Sequence, residues 1–401
     1  MTAAAVGSAL LEDLIPLYPL YAVLFADPGI PGAGLGPAEI SALFVIWSVS
    51  SVIVEVPTGV LADRVSRRKL LVAGPLITAS GFALWTVAPS FVAFAAGFVL
   101  WALGGALRSG TTQALVYDEL NRLGRSQDYA RLTGLMRAAG AVGVIGGTAA
   151  AAPLFAWGGY DAVGAASVVA CVLCSVMSAM LPEKAREAAD PPEPEDADPD
   201  LGWREIVRHG WGSVRTQPVA RRMLLLGVAL TWVAALDEYL PLLIASFVVD
   251  AAAEPDPAAV ALLMIVVSAG DIGGALAAGR FRSVDAIGPA VGVGAVVFIG
   301  SALWGHPVGA AGVATAFGIL GWARVVADAE LQDHLSSASR ATVTSLAGMG
   351  EEVVAILAFA GWALGSTWLG PAGLFVAAAL PYVVMSAVLI GGAMTVRASR
   401  R

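Results

Sequence analysis

Apolar residues fall in blocks of about 20, the length a helix needs to cross a bilayer, and polar residues gather in short gaps between the blocks. Twelve blocks can be read. The first six run near residues 5–26, 39–61, 70–88, 91–117, 130–156 and 162–181. The second six run near 222–249, 258–279, 286–305, 308–330, 341–366 and 371–396. Pro16, Pro75, Pro241 and Pro381 lie inside these blocks. In water they would argue against helices, but in a membrane neighbouring helices satisfy the freed backbone groups. The pattern predicts an all-α membrane protein with twelve transmembrane helices, referred to below as spans 1 to 12.

The basic residues orient the spans. Connections 27–38, 89–90, 157–161, 250–257, 306–307 and 367–370 hold no Lys or Arg. The alternate connections hold Arg64, Arg67, Arg68, Lys69, Arg122, Arg125, Arg280, Arg282 and Arg340. The excess of Lys and Arg on cytoplasmic loops places both termini in the cytoplasm. Two Lys against 21 Arg, with abundant Ala and Gly, suggest a GC-rich bacterial genome, and hence the bacterial inner membrane. The net charge of -8 argues against nucleic acid as a partner. The N-terminal block carries Glu12 and Asp13 and lacks a basic leader, so it reads as a retained first span.

Residues 182–200 are rich in Pro and acidic side chains and read as a linker between two bundles, 1–181 and 221–401. Within 182–220, Trp203, Ile206, Val207, Trp211 and Val214 recur at helical spacing among arginines. That suits an amphipathic helix on the membrane interface, with a plain solvated linker helix as the alternative. Cys171 and Cys174 form a Cys-x-x-Cys in span 6 and read as small lipid-facing side chains. His209, His306 and His334 belong to separate loops, so no metal centre is expected. No nucleophile motif or phosphate-cradling loop occurs, which argues against an enzyme and against a cofactor.

The halves repeat one another. An acidic pair precedes Pro16 in span 1 (Glu12, Asp13) and Pro241 in span 7 (Asp237, Glu238), at an offset of 225 residues. Glu55 matches Asp271, Arg64 matches Arg280, and Arg108 matches Arg324, each at 216. A longer Gly/Pro-rich loop after span 1 accounts for the drop. The chain is therefore expected to be two pseudo-symmetric six-helix bundles, a known transporter design.

Charges inside a bilayer are costly and generally face a cavity or a partner. Glu12, Asp13, Glu55, Arg108, Arg137, Asp237, Glu238, Asp271, Arg324, Glu351 and Glu352 lie within spans, whereas spans 3, 6, 9 and 12 have no ionisable Asp, Glu, Lys, Arg or His. Every third helix is then lipid-facing, and eight helices surround an interior path. Glu55 lies about 12 Å from the turn at Asp63. Arg137, Glu12 and Asp13 are at similar depth, so these side chains are placed to meet, either along the path or as structural ion pairs. Tyr18, Tyr21, Trp101, Trp232 and Tyr239 either line an aromatic pocket or anchor helix ends at the interface.

The segment Gly59-Val60-Leu61-Ala62-Asp63-Arg64-Val65-Ser66-Arg67-Arg68-Lys69 resembles the signature loop of the major facilitator superfamily, with Ser66 in place of the usual Gly. The preceding Glu55-Val56-Pro57-Thr58 resembles a drug-exporter subgroup, as do Ser109-Gly110 with Tyr117-Asp118 and Arg340-Ala341-Thr342-Val343. The resemblance implies a cytoplasmic gate in which Asp63 caps and pairs, steadied by Arg64, Arg67 and Arg68. Gly140, Gly143, Gly146 and Gly147 match the exporters' glycine-rich span 5 without its Pro, which leaves direction open, and close helix packing is the other reading of these glycines.

The expectation is a monomeric secondary transporter, a proton-coupled exporter of a small organic compound. The alternatives are a proton-coupled importer and a non-transporting receptor or lipid-handling protein on the same scaffold. Eight interior carboxylates against three arginines favour a neutral or cationic substrate over a dianionic one. In the second half Asp237, Glu238, Asp271, Glu351 and Glu352 face only Arg324, which assigns proton coupling to these five.

Overall fold

The computed structural model describes residues 1–183, 217–248, 255–335 and 337–399, with Arg208, Trp211, Gly212, Val214 and Arg215 in the connector. The expected linker and most of the amphipathic segment lie outside the described residues. The described residues are helical, with no strand among them. Ten stretches are long and apolar enough to cross a membrane. One of them, Ser126–Ala179, is 54 residues long and supplies spans 5 and 6 together. Span 1 is interrupted and falls outside that count.

Where the sequence pattern reads single helices, three spans are broken. Span 1 divides into α1 (Thr2–Asp13) and α2 (Tyr21–Ala26). Pro16 cannot donate a backbone hydrogen bond, and the open backbone of Leu17 donates to the Ser167 hydroxyl of span 6 at 3.1 Å. Span 4 divides into α5 (Phe91–Arg108) and α6 (Thr111–Arg122) at Gly110, whose φ of 68° favours glycine. Span 7 divides into α8 (Pro218–Ala234) and α9 (Leu240–Val248), with a 3-10 turn at Asp237–Tyr239 and Pro241 in the first turn of α9.

The other helices end on local signals. Gly36 and Glu39 open α3 (Pro37–Arg64) with a 2.8 Å backbone-to-carboxylate bond. Ser66 caps α4 (Arg67–Val87) by accepting from the Lys69 amide, so the Ser that departs from the usual Gly is itself the cap. The 51-residue α7 (Tyr129–Ala179) is bent at Gly158–Gly159, where Gly159 has φ 61°. Both of its arms touch α1: Gly140 lies against Asp13, and Ser178 bonds Ser8. A straight helix would separate residues 140 and 178 by about 57 Å, so the bend reverses the chain. The second half continues as α10 (Pro257–Ala278), α11 (Ile287–Trp304), α12 (Gly309–Asp333), α13 (Ser337–Gly365) and α14 (Pro371–Ser399).

The principal contacts sort the helices into two groups. In the first, α1 packs on α7, α4 on α5 and α7, and α3 on α5. In the second, α10 packs on α12, α11 on α12 and α14, and α8 on α12 and α13. The groups meet chiefly where α7 touches α10 and where α3 touches α13. Those contacts, span 5 to 8 and span 2 to 11, exchange under the repeat, as a pseudo-two-fold axis between the halves requires. Spans 3, 9 and 12, which carry no Lys, Arg, Asp, Glu or His apart from the basic ends of α4 and α14, make their main contacts within their own half as α4, α11 and α14, consistent with an outer position.

Span 6 corrects one expectation. Cys171 and Cys174 are buried rather than lipid-facing. The Cys174 thiol donates to the Ser8 carbonyl oxygen at 3.3 Å. The reversal at Gly158–Gly159 turns this face inward onto α1.

Candidate functional site

Three cavities lie in the interior, the first and second sharing Asp271 and Phe317 and the second and third sharing Arg137. The first, about 440 Å3, lies where spans 1 and 7 are broken. Interruptions at corresponding positions of two repeats are a strong pointer to a transporter's binding site. Tyr18, Tyr21, Trp47 and Trp101 form one wall, and Asp237, Glu238, Asp271, Ser268, Met264 and Phe317 form the other. Trp101 is sandwiched between Tyr18 at 5.4 Å and Trp47 at 4.8 Å, both in parallel stacking. Behind them Tyr21, Phe25, Phe44, Phe82, Trp85, Phe94 and Phe98 form a continuous aromatic core. Tyr18, Tyr21, Trp101 and Tyr239 are thus interior residues, not interface anchors. Trp232 spans two helices, donating its indole N–H to the Ala378 carbonyl at 3.1 Å.

On the side away from the basic loops, the far side, the halves are clamped above this cavity. The Tyr239 hydroxyl and Ser41 are 2.6 Å apart, and Ser41 donates to the Pro37 carbonyl, so Tyr239 serves as donor. Phe44 packs against Tyr239 at 5.0 Å and Phe359 at 5.4 Å. Ser41, Phe44 and Phe359 escape sequence reasoning because a small polar or aromatic side chain near a helix end carries no pairing signal. Trp47 and Ser48 were legible in principle, since an aromatic–polar pair in the middle of a span is unusual for a lipid-facing stripe.

Toward the basic side the halves part. A second cavity of about 580 Å3 is lined by Arg137 from the first half and by Asp271, Arg324, Asp328, Gln332, Thr344 and Glu351 from the second. Asp271 and Phe317 belong to both cavities, so Asp271 stands at their junction. Its carboxylate packs on Gly321, where an added Cβ would lie 2.7 Å from Oδ1. Arg324, one turn on, pairs with Glu351 at 2.8 Å. Glu352, the neighbour of Glu351, faces Ser48 of α3.

The third cavity, about 400 Å3, lies within the first half and brings together Glu12, Asp13, Arg108, Ser109, Gln113 and Arg137. Arg108 is 6% exposed and makes five contacts. It holds Glu12 through two bonds of 2.8 and 2.6 Å, and it donates to Ser8, Ser178 and the Leu71 carbonyl at 3.2 to 3.4 Å. Asp13 faces Gly140, and Glu55 stays outside this group, accepting from Ser109 at 3.3 Å. Arg137 therefore joins Glu12 and Asp13 in one cavity as their depth implied, but Glu55 does not. Gly143 and Gly147 allow the underlying contact: a Cβ on Gly143 would lie 2.3 Å from the Leu10 oxygen. This is close helix packing through small residues.

The two arginines of the repeat have different partners. Arg108 takes the acid of span 1, while Arg324 takes the acid of span 11, at the position where the first half carries Arg137. Asp237 and Glu238 thus have no basic side chain in bonding contact, among the described residues. In the signature loop, Arg67 pairs with Asp118 of α6 and Ser66 donates to Glu183, while Arg68 is exposed. Gly59 lies in α3, and the side chains of Asp63 and Arg64 lie outside the described residues. No group of three or more metal-ligating side chains occurs among those described.

A family model for the Major Facilitator Superfamily matches residues 3–358. No curated protein sequence matches the chain. Among solved structures, the nucleoside transporter NupG aligns with a TM-score of 0.72 at 13% identity, covering 97% of each chain. A mutant of the same protein aligns with a TM-score of 0.73 at 14% identity, over 98% of each chain. At such identity the likeness is one of fold.

Proposed function

The chain belongs to the major facilitator superfamily, a multi-pass membrane transporter and not an enzyme, and from that premise we propose that it is a proton-coupled exporter of a small neutral or cationic organic compound. The observation that carries this reading is Asp271. It lies where the aromatic cavity meets the basic-side vestibule, so a proton on it can respond to solvent through one and to substrate through the other. The cavity supports the substrate class: its aromatic wall offers stacking and cation–π surface, and the charged residues among its described lining are Asp237, Glu238 and Asp271. A multiply anionic compound would find no cation among the described residues there.

Transport proceeds by rocking of the halves about the central cavity. The far-side clamp of Ser41, Tyr239, Phe44 and Phe359 opens as the basic side closes. Glu351, Glu352, Asp237 and Glu238 complete the proton-handling set. Asp63, with Arg64, Arg67 and Arg68, forms the basic-side gate, and the Arg67–Asp118 pair supports that role by tying the loop to span 4. The basic side faces the cytoplasm of a bacterial cell, with both termini inside, and the working unit is a monomer. A neutral solute of nucleoside size is the second substrate reading, supported by the likeness to NupG.

The test uses purified protein in proteoliposomes with a pH-sensitive dye inside. Planar organic cations, nucleosides and dicarboxylates are added in turn, with the gradient in each direction. Proton movement with a cation or nucleoside is expected, and Asp271→Asn should abolish it. Proton movement driven by dicarboxylates would overturn the substrate class. Unaltered coupling in Asp271→Asn, Glu351→Gln, Glu352→Gln and the Asp237→Asn/Glu238→Gln pair would overturn the proton assignment and return attention to Glu12, Asp13 and Glu55. Stronger uptake than efflux in cells carrying the gene would reverse the direction.

A further inference from the structure

Arg137 is the one interior arginine without an ion-pair partner among the described residues. Arg108 has Glu12, and Arg324 has Glu351. Arg137 is exposed and lines the vestibule between the halves, on the opposite wall from Glu351. The repeat relates the two positions: Leu132 matches Leu346, Gly134 matches Gly348, and Arg137 matches Glu351, all at an offset of 214 residues. Residues related by a two-fold axis and lying close to it face one another across it. Like charges there would repel on closure, and this chain has placed opposite ones.

From this geometry we infer that Arg137 and Glu351 form an ion pair between the halves when the basic side closes, with Glu351 exchanging Arg324 for Arg137. The Arg324–Glu351 pair is suited to exchange. Its side chains are 42% and 32% exposed, so water screens it and little holds it together. Arg324, once released, is one helical turn from Gly321, on which the Asp271 carboxylate packs, and becomes available to that carboxylate. The exchange therefore links gate closure to the junction of the two cavities. Glu12 and Asp13 share the third cavity with Arg137, but Glu12 is engaged by Arg108 and Asp13 packs on Gly140. Asp328, also on the vestibule wall, is held by the Gln332 amide at 3.3 Å. The inference rests on the alternating-access reading and on no assumption about substrate or proton.

Spin labels at Leu123→Cys and Phe281→Cys report the basic-side opening in the full chain in nanodiscs. Both sites are exposed, and the two native cysteines are buried. A long and a short distance are expected in the otherwise unmodified protein. Arg137→Gln and Glu351→Gln should each lower the short-distance population by about five-fold or more. Arg324→Gln should raise it, because Glu351 loses its competing partner, a sign that a merely structural arginine would not give. Asp328→Asn should leave it unchanged, and Arg137→Glu with Glu351→Arg should restore it. The inference is overturned by a single distance in the unmodified protein. It is equally overturned if Arg324→Gln acts like Arg137→Gln, if Asp328→Asn reproduces Arg137→Gln, or if the reversed pair is no better than the single variants. The readout needs neither substrate nor gradient, so failure of proton coupling leaves it standing, and its failure leaves proton coupling intact.

Discussion

Replacing Glu12 with Gln should destabilise the protein more than removing its partner, Arg108. The asymmetry comes from burial. Arg108 is 6% exposed, whereas the Glu12 side chain is 43% exposed to the first-half cavity. Glu12→Gln leaves a guanidinium that cannot be neutralised in a site with little water. Breaking a buried pair in this way costs about 3–5 kcal/mol, and the Asp13 carboxylate beside it brings the expectation to the lower end, about 3 kcal/mol. Arg108→Met leaves a carboxylate that can take water from the cavity, and Ser8 and Ser178 keep their 3.1 Å bond to each other. Its cost is then that of lost hydrogen bonds and a packing change, about 1–2 kcal/mol. The double variant, with neither charge, should resemble Arg108→Met. The assay is built into the fold: Cys171 and Cys174 are buried beside this network, so a fluorogenic maleimide reports its melting in detergent. For a unit the size of one half, about 3 kcal/mol corresponds to a midpoint lowered by about 6–12 °C. Arg108→Met as damaging as Glu12→Gln, or a double variant with the two losses added, would refute the reasoning.

Three further outcomes are expected. Gly143→Val must push α1 from α7, because its Cβ meets backbone at 2.3 Å. It should cost about 3 kcal/mol, whereas Gly134→Ala, with open space around it, should be near neutral by the same thiol-melting assay. Tyr239→Phe removes the hydroxyl contact with Ser41 and should favour opening of the far side by about 1 kcal/mol, about five-fold in population. Spin-label distances between Val87→Cys and Trp368→Cys would record it, and an unchanged distribution would show that the aromatic packing alone holds the clamp. Asp118→Asn should change the melting midpoint by less than about 1 kcal/mol equivalent while slowing transport, since its pair with Arg67 is solvent-exposed. A large loss of stability would make the pair structural rather than a gate element.

The sequence made the architecture legible because the bilayer constrains it so heavily. Apolar length alone located the spans, and the position of each charge within a span marked the helices that line the interior cavities. The breaks in spans 1, 4 and 7 were less legible. Pro16 and Pro241 are compatible with continuous membrane helices, and only the three-dimensional neighbours, such as Ser167 below Leu17, decide where the backbone opens. Partner choice was hidden for a related reason. Arg108 and Arg324 are equivalent in the repeat, yet one takes Glu12 and the other Glu351. That difference depends on helix rotation and on the opposite charges at 137 and 351, not on local spacing. The burial of Cys171 and Cys174 is not legible in the sequence, because a span without charges need not have a single face. Its small polar side chains, Ser167, Cys174 and Ser178, all turn toward span 1.

The sharp reversal at Gly158–Gly159 has a practical consequence for anything approaching from outside the membrane on that side. Spans 5 and 6 are joined within one helical stretch with only Gly158 and Gly159 non-helical, and the turns at Ala88–Ser90 and Gly305–Val308 are nearly as spare. A protease has almost no loose chain to cut at these three turns, and an antibody has little beyond helix tips to grip. An inserted affinity tag or fluorescent domain at Gly158–Gly159 would separate two helix arms that both lean on α1. Topology reporters are better placed in the 27–36 connection, which already leaves the helices and carries two positive-φ glycines, Gly32 and Gly34. Gly32 itself is unsuitable for replacement, since a side chain there would meet the Pro89 carbonyl at 2.0 Å.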